Sequence, residues 1–340
     1  MKNILIIKTG ALGDVLRTTV ILEGLIDKYV AVRIHWLTSE KAIPLLDMNP
    51  FIDKLYVIEN LEKSLFEQKY DLVISLEEKK EILILLENIN KKEIFGIYLK
   101  NKEITYTESS SAWFDMSLVS KFGKIVADQL KKSNIMSYPE MIYKLLDLHW
   151  TTQRYRLFIT KKEIEYANTL KEKIPKNNII IGIGIGAGDT WPMKVMSDEK
   201  LIDLINAIKN EYGENVTIVS LTGTNTLELN RNNKLKETNL PIINNNVTNL
   251  NELIGTIKIC DLIISPDSLT MHIGIALGKT TISYFTVTSA SEIEIYTGKK
   301  ILSTHEDFCS YITTFKEKPN ITDSVNIKKI LEEVKKHIKL

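Results

Sequence analysis

Asn3-Ile4-Leu5-Ile6-Ile7-Lys8-Thr9-Gly10-Ala11-Leu12-Gly13-Asp14 decides the fold class. Its apolar half is continuous and aliphatic, not alternating. That is the pattern of a strand covered on both faces, as in parallel sheets. Gly10 and Gly13 then break the run, and Val15 to Tyr29 takes up helical spacing. A buried strand, a glycine-bearing turn and a helix make the first step of a βαβ unit.

The same alternation continues outward from there. Val32–Leu37, Lys54–Ile58 and Asp71–Leu76 read as further strands with short helical pieces between them, and residues 91–99 as one more. A second series follows residue 175. It has a strand at Asn178–Ile185, a helix from Ser197 to Asn210 and strands at Val216–Leu221, Leu262–Ser265 and Thr280–Phe285. Helical spacing covers Asn249–Ile259, Leu269–Leu277 and Ile327 to Ile338. Ser197 suits the N-cap of its helix, with Asp198 and Glu199 favourable in the first turn. Residues 154–160 look extended and 161–173 look like a charged linker helix, so the boundary between two α/β lobes falls near residues 155–175.

Composition excludes several classes. The chain has 340 residues, 44% hydrophobic and 26% charged, ample for two cores. Lys and Arg total 44 against 43 Asp and Glu, a net charge of +1, which argues against a dedicated nucleic-acid binder. Cys260 and Cys309 are the only cysteines, too few for a disulfide framework or a four-cysteine zinc site, so a reduced compartment is expected. The run Ile4 to Ile7 is too short for a signal-peptide core, and no stretch reaches the roughly 18 apolar residues of a membrane span. A cytoplasmic protein is the expectation, with peripheral contact at the cytoplasmic face of the inner membrane allowed.

Residues 100–150 carry no decodable motif. They hold apolar helical spacing (Trp113, Phe114, Leu118, Val119, Phe122) and a basic helix ending Lys131-Lys132. Those lysines, with Lys121 and Lys124, form either a solvated face or a contact with an anionic acceptor or membrane.

Three glycine or turn segments carry candidate chemistry, and each has a plainer reading. Gly182-Ile-Gly184-Ile-Gly186-Ala187-Gly188 follows a strand, as a dinucleotide fingerprint would. Asp189, Thr190, Trp191 and Pro192 intervene before any helix, so close packing of a strand followed by a loop fits better than an NAD site. No G-x-x-x-x-G-K-[ST] is present, which argues against a P-loop enzyme. In the first segment Asp14 faces a ligand or merely charges a helix start. In Ser265-Pro266-Asp267-Ser268-Leu269-Thr270-Met271-His272, Asp267 or Ser268 caps a helix whose N–H groups suit phosphate. His272 alone would be a satisfied core residue as readily as a ligand, and Lys194 an ordinary surface lysine or a point charge for phosphate.

Taken together these segments resemble the heptosyltransferase family, glycosyltransferase family 9. Gly13-Asp14-Val15-Leu16-Arg17-Thr18 is similar to the family's G-D-V-L plus basic residue and Thr. The Gly186 to Pro192-Met193-Lys194 loop and the Asp267 to His272 element, followed by Ala276–Lys279, complete the set in order.

The resemblance implies a GT-B fold, two Rossmann-like lobes with parallel sheets facing across a cleft. The bounds are 1–160 for an acceptor lobe, 161–325 for a nucleotide-sugar lobe, and 326–340 for a C-terminal helix packing back onto the first lobe. It implies an inverting, metal-independent transfer of heptose from ADP-heptose to a lipopolysaccharide-core or related glycan. Asp14 then corresponds to the catalytic base, with Thr9, Gly10, Gly13 and Arg17 on the acceptor loop. Lys194, Asp267, Ser268, Leu269, His272 and Thr190 surround the donor diphosphate, Glu228 the ribose, and Thr248 and Leu250 the adenine.

Some positions depart from the pattern. Val195, Met196 and Ser197 replace a basic residue, Trp and Pro, Leu269 stands where many members have Gly, and Cys309 is alone where some relatives have a cysteine cluster. No metal site is expected at Cys309. The competing readings are a GT-B transferase using another nucleotide-sugar or a protein acceptor, a nucleotide-sugar epimerase, and a non-catalytic nucleotide-binding scaffold.

Overall fold

The structure, a computed structural model, describes all residues except 189–190, 239, 307, 311–320 and 340. The chain divides into two compact units, Met1–Phe158 and Ile159–Leu340. Among the described residues each unit holds one six-stranded sheet.

In the first unit β1 (Lys2–Ile7), β2 (Val32–Thr38), β3 (Lys54–Val57), β4 (Tyr70–Ser75), β5 (Lys91–Lys100) and β6 (Glu103–Tyr106) lie in the order β3-β2-β1-β4-β5-β6. The first five pair in parallel, and β6 returns antiparallel along β5. The apolar run that suggested β1 is wholly buried from Ile4 to Ile7, as a central strand requires.

The second unit repeats the plan. β7 (Ile179–Gly184), β8 (Val216–Leu221), β9 (Ile242–Ile243), β10 (Leu262–Pro266), β11 (Thr280–Phe285) and β12 (Gly298–Leu302) run in the order β12-β11-β10-β7-β8-β9, all parallel. In both sheets the strand order reverses beside the first strand, between β1 and β4 and between β7 and β10. A crevice opens at such a switch point, beyond the carboxyl ends of the strands.

One expectation changes. The helix read from Val15 to Tyr29 is two helices, Leu12–Thr18 and Ile21–Lys28. Thr18 Oγ1 donates to the Asp14 carbonyl and Thr19 Oγ1 to the Leu16 carbonyl, both at 2.7 Å. Such hydroxyl back-bonding competes with the helical ladder and bends it. Residues 154–160 belong to neither a helix nor a strand. The C-terminal helix is Ile327–His337. Ile330, Val334 and Ile338 are buried in the second unit's core with Tyr284, Ile301 and Leu204. The stripe of this amphipathic helix is thereby buried. Among the described residues no helix is long and apolar enough to cross a membrane.

Candidate functional site

In the first unit, the turn after β1 is tied to the strands on both sides. Lys8 Nζ donates to the Leu76 carbonyl at 3.0 Å, and Trp36 Nε1 to the Lys8 carbonyl at 3.2 Å. Ser39 Oγ donates to the Thr9 carbonyl at 2.8 Å. Thr9 donates to Glu77 Oε2 twice, from its backbone N–H at 2.9 Å and its hydroxyl at 2.5 Å. Glu77 is buried at the carboxyl end of β4, across the switch point. Burial works against its charge, but Lys8 and the two Thr9 hydrogen bonds outweigh it, leaving its pKa below the usual value. Its neighbour Glu78 shifts the other way: burial leads, and Asp14 and Glu77 add to it against the pull of Lys8 and Lys131.

Asp14 lies in the first turn of Leu12–Thr18, whose N-cap Ala11 has no side chain to satisfy the N-terminal N–H groups. Those groups and the helix dipole favour a negative charge at this end. Arg17 Nη2 meets Asp14 Oδ1 at 2.9 Å, and Asp14 is the more exposed partner, 38% against 14%. The Arg17 guanidinium lies over Tyr138 at 4.5 Å and Trp113 at 5.3 Å from the ring centroids, within cation–π range. Tyr138 Oη meets Thr18 Oγ1 at 3.0 Å, and burial pushes its phenol up to about 12. The undecoded segment 100–150 thus supplies the wall against which Arg17 holds Asp14. At Gly10 a Cβ would approach nothing nearer than Lys79 Nζ at 4.0 Å, so that turn is open. Gly13 lies in the helix's first turn.

In the second unit, Asp267 follows β10 and Lys194 ends the short 3-10 turn Pro192–Lys194. Lys194 Nζ is 3.0 Å from Asp267 Oδ2, and His272 Nε2 is 3.9 Å from Asp267 Oδ1. All three side chains are largely buried, at 16, 13 and 6% exposure for Lys194, Asp267 and His272. Burial raises the Asp267 pKa, yet Lys194 and then His272 hold it well below the carboxylate range. Ser268 is the N-cap of Leu269–Ala276 but makes no capping bond with its side chain; its hydroxyl meets Ser265 Oγ at 3.0 Å. The first-turn N–H groups beginning at Leu269 have no partner within the helix. A lysine and a helix N-terminus beside one crevice are the chemistry that binds phosphate.

Glu228 bridges two turns. Its carboxylate accepts from the Gly188 N–H at 2.9 Å and from the Gly223 N–H. Gly186 makes room for it, since a Cβ there would stand 2.1 Å from Glu228 Cγ. Gly186 in the turn after β7 therefore admits a neighbouring side chain rather than another backbone. Thr248 donates from N–H and hydroxyl to Glu252 at 2.7 and 2.8 Å, just before the helix Leu250–Ile259. Thr248 lies on the turn after β9 and Leu250 opens the helix that follows, at the carboxyl end of the sheet, where Lys194 also lies. Thr190 lies outside the described residues.

Arg231 escaped sequence reasoning. It donates to the Ile185 and Met196 carbonyls, each at 2.7 Å, while its Nε pairs with Asp198 at 2.7 Å. It thereby pins both ends of the loop that carries Lys194. Its helix, Thr226–Glu237, buries only Asn232 and Leu235, so no apolar stripe drew attention to it. Glu77 and Glu78 could have been noticed as charges placed directly after a buried strand. Among the described residues no group of three or more His, Cys, Asp or Glu side chains could hold a metal.

The chain resembles known proteins in sequence and in fold. The sequence profile of glycosyltransferase family 9 (heptosyltransferase) matches residues 58–313. The chain is 24% identical to lipopolysaccharide heptosyltransferase 1 of Campylobacter coli, over 93% of this chain and 96% of that protein. Two solved structures share the fold: the glycosyl transferase family 9 protein of Veillonella parvula (TM-score 0.73, 18% identity, 98% of this chain and 96% of that one) and E. coli ADP-heptose LPS heptosyltransferase II (TM-score 0.67, 17% identity, 99% and 98%). With its two parallel-sheet α/β lobes and a family match across most of its length, the chain belongs to glycosyltransferase family 9, the heptosyltransferases, and is a glycosyltransferase.

Proposed function

We propose that this protein transfers a heptose from ADP-heptose to a hydroxyl of a lipopolysaccharide-core or related surface-glycan acceptor, with inversion and without a divalent metal. The observation that carries this is the buried Lys194–Asp267–His272 cluster beside the N-terminus of Leu269–Ala276, at the switch point of the second sheet. The names of the relatives, lipopolysaccharide heptosyltransferase and ADP-heptose LPS heptosyltransferase, supply the donor and acceptor.

In this mechanism the acceptor hydroxyl attacks the anomeric carbon from the face opposite the diphosphate. The new C–O bond forms as the old C–O bond to phosphate breaks, and ADP leaves with the electron pair. Asp14 accepts the hydroxyl proton, and Arg17 keeps its carboxylate aimed. Lys194 and the N–H groups at Ser268 and Leu269 stabilise the charge growing on the diphosphate, with His272 as a hydrogen-bond donor and Asp267 orienting Lys194. Thr190 serves the donor diphosphate, Thr248 and Leu250 take the adenine, and Glu228 meets the ribose. Thr9, Gly10 and Gly13 shape the acceptor side. A cationic side chain and helix N–H groups do the work that a metal does in other nucleotide-sugar sites. The protein would act in the cytoplasm, at the inner membrane where its acceptor is anchored.

Calorimetric titration with ADP, UDP, GDP, CDP, dTDP and NAD in EDTA tests the donor. Selective ADP binding, weakened by Lys194→Ala, is expected. Preference for another nucleotide would replace the donor, and a requirement for magnesium or manganese would remove the metal-independent mechanism.

A further inference from the structure

The helix Gly123–Ser133 is turned inside out. Its buried residues are Ala127 and Asp128, while Ile125 is 64% exposed, Val126 38% and Leu130 36%. Phe122, just before it, is 52% exposed, and Ile135, just after it, 90%. Isolated exposed apolar residues are ordinary, but five within 14 residues, on and beside the outer face of one helix, mark an interaction surface. The rim is of one sign. Lys121, Lys124, Lys131 and Lys132 surround the patch, and between Met116 and Ser137 the only acidic residue is the buried Asp128.

We infer that this helix docks on an anionic lipid surface, with Phe122, Ile125, Val126, Leu130 and Ile135 entering the headgroup boundary and the lysines meeting the lipid charges. Apolar residues along one face and lysines beside it are the composition of an interfacial helix. Charge selects this occupant over a second copy of the chain, since two such faces brought together would set lysines against lysines. The helix also adjoins the catalytic loop: Lys131 lies close enough to Glu78 to pull its pKa down, and Glu78 in turn feels Asp14. Docking would hold the Asp14 turn near the membrane. The inference deepens the proposed function, on whose lipid-anchored acceptor it rests.

Co-sedimentation of the full chain tests it, using phosphatidylcholine vesicles with and without phosphatidylglycerol, free of any glycan acceptor. The protein should pellet with the anionic vesicles and stay in solution with phosphatidylcholine alone. Raised salt should weaken binding. Ile125→Ser with Leu130→Ser should lower the partition coefficient more than about tenfold. Lys121→Gln and Lys132→Gln should each cost about fivefold. All four side chains point to solvent, so ADP affinity should be unchanged and reports on folding. Failure of the wild type to pellet, or pelleting unaltered by the Ile125/Leu130 pair, overturns the inference. So does equal binding to neutral vesicles, or a dimer that the same pair returns to monomer. ADP binding without vesicle binding would overturn only this inference, and vesicle binding without ADP binding only the donor assignment.

Discussion

Replacing Lys194 by methionine keeps most of the side-chain volume and removes the ammonium 3.0 Å from Asp267. Asp267 is then a carboxylate with 13% of its side chain exposed, left with His272 at 3.9 Å and the Thr288 hydroxyl as partners. Breaking a fully buried pair costs about 3–5 kcal/mol, and the residual exposure and His272 reduce that here to about 2 kcal/mol. In a unit of this size the melting temperature should fall by about 4–8 °C. The sign of the pH dependence follows from the lowered Asp267 pKa. The wild-type fold keeps the carboxylate charged where the unfolded chain protonates, so its stabilisation is complete above about pH 4 and lost as pH falls below that. In Lys194→Met the carboxylate protonates more readily, so the gap between variant and wild type should narrow from pH 7 toward pH 4. Differential scanning fluorimetry of wild type, Lys194→Met, Asp267→Asn and the double variant reads all of this. The double variant should recover much of the Lys194→Met loss. Additive shifts with no pH dependence would refute a coupled buried pair and return Lys194 to an ordinary surface lysine.

Arg231→Met should free both ends of the Lys194 loop, raising hydrogen exchange across residues 185–197 and weakening ADP binding about tenfold or more, at a cost of about 1.5–3 kcal/mol for a lost charged hydrogen bond. Unchanged exchange would remove Arg231 from that role. Gly186→Ala places a Cβ 2.1 Å from Glu228 Cγ, whose carboxylate is held by two turns, and should destabilise by about 1–3 kcal/mol in thermal melts. Glu77 has a lowered pKa, so its stabilisation is present above about pH 4.3 and lost in acid. Glu77→Gln should flatten the acid limb of the stability profile; an unchanged limb would show that the Thr9 contacts do not bear on it.

The central strands were legible because parallel burial leaves an unmistakable apolar run, as in Ile4 to Ile7. β6 and β12 lie at sheet edges, are short and half exposed, and so carry no such run. The break after Thr18 depends on hydroxyls choosing backbone carbonyls, which composition does not announce. In the site, local pattern left Asp14, Lys194 and His272 with plainer readings beside the functional ones, and the family resemblance of the segments that follow β1, β7 and β10 singled them out with Asp267. Arg231 acts through backbone carbonyls 35 and 46 residues away, and Trp113 and Tyr138 through contact with Arg17, so their spacing in sequence holds no trace of it.

Product formation from ADP-heptose and a lipopolysaccharide-core acceptor, followed in EDTA for wild type and Asp14→Asn, tests the central claim most directly. Transfer by the wild type is predicted, with kcat falling about 10²–10⁴-fold in Asp14→Asn while ADP affinity is kept. Full activity in Asp14→Asn, or wild-type transfer only after a divalent metal is restored, would contradict it.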